Sequence, residues 1–130
     1  MHLRSIALAL FVGSVPSLVM AQLDSPNRKE HKRVDLTGAP GMEVVNSTTE
    51  YKPGEQVSLH IHHGVESGYV VQGATIQPPG KDPMPLPTGA SVVNLRDVPH
   101  GGFKIVGDKS LILFTVHIVD KGKPLYDEPK

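Results

Sequence analysis

Glycine and proline punctuate this chain so densely that they restrict its class before any other feature is read. Thirteen Gly and twelve Pro fall among 130 residues. From Thr37 onward they leave only short β-prone runs: MEVVNSTTEY, QVSLHIHH, GYVVQGATI, ASVVNL, GFKIVG and SLILFTVHIV. Turn chemistry such as TGAPG, KPGE, QPPGKDPMPLPTG, DVPHGG and DKGKP bounds them. No stretch combines helical periodicity with adequate length. Short strands at this spacing predict an all-β sandwich or barrel. The segment from Pro78 to Pro87 reads as a loop between strands, and not as a central strand, because each Pro lacks a ladder donor. In Leu111 to Val119 one parity is uniformly apolar (Ile112, Phe114, Val116, Ile118), and the other also carries Leu111, Leu113 and Val119. Such a strand is central or covered on both faces. His117 falls on the mixed parity, where a structural or surface role is expected for it rather than metal binding.

The two ends of the chain read differently from its middle. Residues 1–21 have Arg4 near the start, an apolar run from Ile6 to Val15, Pro16, and small residues before Gln22. This is the layout of a cleavable secretory signal, with cleavage expected after Ala21. The run is shorter than the ~20 residues of a spanning helix, so the mature chain is expected to be periplasmic or secreted, with no membrane contact. Residues 22–36 are polar and charged and read as a surface arm, with His31 solvated among Lys and Arg. Residues 37–126 form the single domain, and 127–130 are a tail. Without Arg4, twelve basic residues face thirteen acidic ones, a balance that argues against a nucleic-acid partner. The absence of cysteine leaves an exported chain without disulfides. Its stability must come from its core, with help from a metal or partner subunit.

The chemistry concentrates in LHIHHGVESGYVVQG, Leu59 to Gly73. His60 and His62 are two apart and point to one face of a strand, roughly 7 Å apart along it. His63 points to the other face. Gly64 is read as a turn, after which Glu66 returns towards the same point. Imidazoles with one carboxylate suit a divalent transition metal such as Fe, Mn, Ni, Cu or Zn, and a further ligand is expected from elsewhere in the chain.

The wider pattern resembles the cupin superfamily. Its first motif is met at every fixed position by Gly54, His60, His62, Glu66 and Gly73. The second is met in part: Gly89 opens the segment and His100 stands at the ligand position, whereas Leu95, Asp97 and Lys104 replace the usual Pro, Gly and Asn. Asp is among the better non-glycine residues for a tight turn. The resemblance covers about Gly41 to Leu125, and the chain looks like the small exported cupins. It implies an antiparallel jelly-roll β-barrel with one metal ion held by His60, His62, Glu66 and His100.

What the resemblance implies about function is broader. The first expectation is an exported metal-dependent enzyme of dioxygenase type acting on a small organic molecule, with Glu66 doubling as a catalytic general base. The alternatives are a non-catalytic module that binds a metal or small ligand, and a metal-dependent isomerase. Tyr51, Tyr69 and Phe103 are candidates for an apolar mouth, although packing is the commoner role for each. Arg96 and Lys104 are candidates to attract an anion, although solvated surface charge is the default. A homodimer is consistent with the exposed edges of a small barrel.

Overall fold

The computed structural model describes residues 23–130. The expected signal segment, 1–21, lies outside the described residues. Eight strands follow in order: β1 (Arg28–Asp35), β2 (Met42–Tyr51), β3 (Gly64–Gln72), β4 (Ala74–Gln77), β5 (Met84–Leu86), β6 (Ser91–Asn94), β7 (Lys104–Val106) and β8 (Leu111–Asp120). They form a five-stranded sheet, β1-β2-β8-β3-β6, and a three-stranded sheet, β5-β4-β7. Every pairing is antiparallel, and no helix occurs among the described residues.

β8 sits at the centre of the large sheet, as its two apolar parities predict. It pairs with β2 over ten residues, from Met42↔Asp120 to Tyr51↔Leu111, and with β3 on its other edge. The uniformly apolar parity faces outward; Ile118 there is 37% exposed. The mixed parity faces the interior, where Leu111, Thr115, His117 and Val119 are buried. The inner space divides in two. Tyr51, Val57, Val70, Ala74, Ile76, Ile105 and Leu111 form an apolar core with Leu86, Ala90, Phe103 and Leu113 against it. Beside it the large sheet presents buried Ser47, Thr49, Glu66, Thr115 and His117.

Three expectations change. The polar arm contains an edge strand: β1 pairs with β2 from Arg28↔Thr49 to Asp35↔Glu43. It lacks an alternating pattern because it buries almost nothing. Ladder bonds and ion pairs order it instead, including Arg28 with Asp24 at 2.7 Å and Arg33 with the buried Glu43. A charged, exposed edge also discourages pairing with other chains. The Pro-rich loop contributes the short strand β5, with Pro85 opposite Thr75. It is an edge strand, where a missing N–H is tolerated. Finally, QVSLHIHH is extended but makes only isolated bridges: Gln56↔Lys104, His60↔His100 and Ile61↔Asp127. This segment lies along residues 100–105, with Val57 N–H bonding Phe103 O at 2.9 Å and Ile105 N–H bonding Glu55 O at 2.9 Å.

Candidate metal centre

Three separate pieces of chain meet at the polar end of the interior. The segment before β3 brings His60 and His62. The bridge between His60 and His100, with N–H to carbonyl bonds of 3.0 Å in both directions, sets their rings 4.3 Å apart, centre to centre. The His62 ring is 4.8 Å from each. β3 brings Glu66. Gly64, read as a turn, has no left-handed backbone. It is needed because β3 starts pressed on β8: a Cβ there would lie 2.0 Å from the Ile118 carbonyl oxygen. The loop before His100 turns through Asp97 at φ 58°, the left-handed conformation that Asp tolerates. Gly101 follows at φ +85°, where a Cβ would meet Ser58 O at 2.5 Å.

One ligand atom from each of His60, His62, Glu66 and His100 lies within 4.8 Å of the other three. His60, His62 and Glu66 are buried and His100 is half-buried. Each of the three imidazoles is oriented by a backbone carbonyl: Nδ1 lies 2.7 Å from Ser58 O in His60, 2.5 Å from Leu125 O in His62 and 2.9 Å from Val98 O in His100. A carbonyl only accepts, so each Nδ1 carries the hydrogen and, in the neutral ring, each Nε2 holds a lone pair. Two of these nitrogens face a carboxylate oxygen, with Glu66 Oε2 3.2 Å from His62 Nε2 and 3.3 Å from His100 Nε2. The buried Nε2 of His100 makes no hydrogen bond. Such convergent acceptors form a donor set for a cation, and imidazole with carboxylate matches a first-row divalent metal.

The charges agree. Burial alone would raise the Glu66 pKa, but the adjacent His100 and His62 imidazoles, His117 and the Asn94 amide favour the carboxylate and hold it well below the usual range. Burial pushes His60 down to about 4 and keeps it neutral. In His100 burial acts in the same direction, but Glu66 and the Val98 carbonyl outweigh it and raise the pKa. A metal entering here would displace the proton that this imidazole otherwise takes.

The structure also places residues that the sequence did not mark. Asn94 on β6 donates to Glu66 Oε2 at 2.7 Å. Tyr126 packs its ring 4.8 Å from that of His60 and 4.9 Å from that of His62. His117 is buried and faces Glu66, with Nε2 3.5 Å from Oε1, so of the structural or surface role expected for it only the surface alternative falls. An adjoining cavity of about 130 Å³ has Tyr51, Val57, Leu86, Val92, Phe103, Leu113 and Tyr126 in its walls, with His60, Glu66, Asn94 and His100 at its polar end. Tyr51 and Phe103 therefore face the cavity. Tyr69 is 51% exposed and outside the lining. Arg96 pairs with Asp120 at 2.8 Å, and neither it nor Lys104 lines the cavity. His63 turns away to Asp127, 2.9 Å from Nε2.

No family model matches the sequence, and no curated protein does. Solved structures are similar in shape. An uncharacterized protein with a double-stranded β-helix domain from Klebsiella pneumoniae is 17% identical over 92% of this chain and 99% of its own, with a TM-score of 0.55. An RmlC-like cupin family protein from Methanocaldococcus jannaschii is 15% identical over 83% and 94%, with a TM-score of 0.50. DMSP lyase DddQ from Ruegeria pomeroyi is 17% identical over 62% of this chain and a TM-score of 0.50. The match spans only 41% of that lyase. With two antiparallel sheets enclosing a His and Glu cluster, the chain has the cupin fold, the double-stranded β-helix.

Proposed function

We propose that this protein is an exported metal-dependent cupin that transforms a small organic molecule, with a divalent transition metal held by His60, His62, Glu66 and His100. The observation that carries this reading is the orientation of the three imidazoles. Three separate carbonyls fix the three imidazoles by Nδ1, two of their Nε2 atoms face Glu66 Oε2, and one ligand atom of each of the four residues lies within 4.8 Å of the others. A metal bound by four protein groups keeps coordination positions open and supplies Lewis-acid or redox chemistry there.

The chain's own residues set what enters. An apolar cavity of about 150 Å³ accepts benzene, so a cavity of about 130 Å³ suits a substrate no larger than a single small ring. Among the described residues its walls carry no Lys or Arg, which favours a substrate with little charge beyond the group that meets the metal. Burial pushes the Tyr51 and Tyr126 hydroxyls above the usual tyrosine range, so both stay protonated and can donate to a bound oxygen. Glu66, held strongly ionised, serves better as an anionic ligand than as the general base expected from the sequence. A dioxygenase-type reaction on a small enol or phenol remains the preferred chemistry. A lyase or isomerase reaction without oxygen is the second reading, and it draws on the likeness in fold to DMSP lyase DddQ.

Elemental analysis of the purified mature protein tests the centre. The expected result is close to one divalent metal per chain in the wild type and almost none in His60→Ala/His62→Ala. Equal metal in both overturns the four-ligand set. Protein loaded separately with Fe, Mn, Ni, Cu or Zn is then given small enols and phenols in an oxygen electrode. Oxygen uptake supports the preferred chemistry, and product without uptake supports the second. Intact mass of the periplasmic protein tests export, with Gln22 as the expected first residue.

A further inference from the structure

β8 carries a histidine that the four-residue donor set does not require. His117 is fully buried, with 0% exposure, and neither ring nitrogen has a hydrogen-bond partner. The β3–β8 register places it directly opposite Glu66, and directly opposed residues leave the same face of a sheet as neighbours. Its ring packs against His62 at 4.6 Å and Tyr126 at 5.9 Å. Neither ring offers a polar atom in hydrogen-bond geometry. Leu or Phe would fill such a position without burying two unpaired nitrogens, and a buried polar group without a partner is costly.

The two oxygens of Glu66 have different surroundings. Oε2 accepts from Asn94 at 2.7 Å and lies beside His62 and His100. Oε1 is 3.5 Å from His117 Nε2. We propose that His117 is a positioning residue of the metal centre: its Nε2, 3.5 Å from Oε1 and without another partner, donates to Oε1 when the centre is filled, so Glu66 offers the metal Oε2 alone. A carboxylate restrained at one oxygen cannot swing to bind through both, and the coordination position that the second oxygen would take stays open for substrate. This rests on the reading that the cluster binds a metal.

The test uses Cu(II) as probe and three mature proteins: wild type, His117→Phe and His117→Gln. Phe keeps a ring without a donor, and Gln restores an N–H near the position of Nε2. Affinity is read by chelator competition, and the ligand field and number of coordinated imidazoles by electron paramagnetic resonance with spin-echo modulation. The expected result is three coordinated imidazoles in all three proteins. His117→Phe should bind Cu(II) roughly 10–100-fold more weakly, the usual effect of losing an outer partner, with an altered copper hyperfine splitting. His117→Gln should lie near the wild type in both. Identical affinity and spectrum in His117→Phe would make His117 core filling and overturn the proposal. Four imidazoles in the wild type and three in His117→Phe would make it a ligand, also overturning it. A wild type that binds no Cu(II) instead removes the metal reading itself. If His117→Phe does not fold, His117→Ala replaces it with the same readouts.

Discussion

Asn94 shows how much of the centre depends on a single side chain outside the ligand motif. Its amide is a short donor to the Glu66 oxygen that faces the imidazoles. Asn94→Ala should therefore weaken metal binding about 10–100-fold, read by chelator competition, and unchanged affinity would make this hydrogen bond idle. Gly64 acts through backbone contact. Because a Cβ there would meet the Ile118 carbonyl at 2.0 Å, Gly64→Ala must push β3 off β8. Thermal melting should show severe destabilisation or no cooperative transition, whereas a wild-type melt would show that the strands can part at little cost. The legibility of residues differs in the same way. Asp97 in a position usual for Gly was legible, since few other side chains accept φ 58°. Asn94 was not, because nothing near it in the chain says which carboxylate it will face.

Among the elements, the C-terminal segment matters more than its exposed, polar sequence suggests. Ile61 and Asp127 exchange backbone bonds of 2.9 and 3.1 Å, and Asp127 also holds His63. The Leu125 carbonyl orients His62, and Tyr126 covers the His60 and His62 rings. A chain ending at Pro124 should fold less stably and lose most of its metal, as seen by circular dichroism and elemental analysis. Retention of a full metal complement would show that His62 needs no such partner. This segment was read partly as a tail, and β1 as an arm, for a common reason. Both gain order chiefly from backbone pairing, β1 with the following strand and the C-terminal segment with Ile61, so neither carries a hydrophobic period.

For the molecule as a whole, acid and chelator should act on the same centre. In the metal-free fold His60 and His117 are held at about 4, chiefly by burial, whereas an unfolded histidine titrates near 6.5. Between those values the unfolded chain binds more protons, so stability falls as pH drops from about 6.5 to about 4. Glu66, depressed below its ordinary value, adds stability that is lost as pH falls further. His100 has the opposite sign: its raised pKa contributes stability below about 6.5 that is lost as pH rises through the folded value. With two histidines against one, calorimetry of chelator-treated protein should show a lower Tm at pH 5 than at pH 7. A flat profile would contradict the neutral burial of His60 and His117. Metal at a hundred times its Kd should raise Tm by on the order of 10 °C at pH 7, and no shift would count against a site formed only in the folded state.

By itself the sequence determined the all-β class, the central place of β8 and the spacing of His60, His62, Glu66 and His100, because turns, alternation and motif spacing are local properties of the chain. Only the tertiary structure decided which face of β8 is inside. Period two tells which residues share a face, not which face meets the other sheet, and here the mixed parity with His117 points inward while the apolar one points out. It likewise decided that Asn94, Leu125 and Tyr126 surround the histidines. Those contacts join residues far apart in the chain, and only folding the two sheets over one another brings them together.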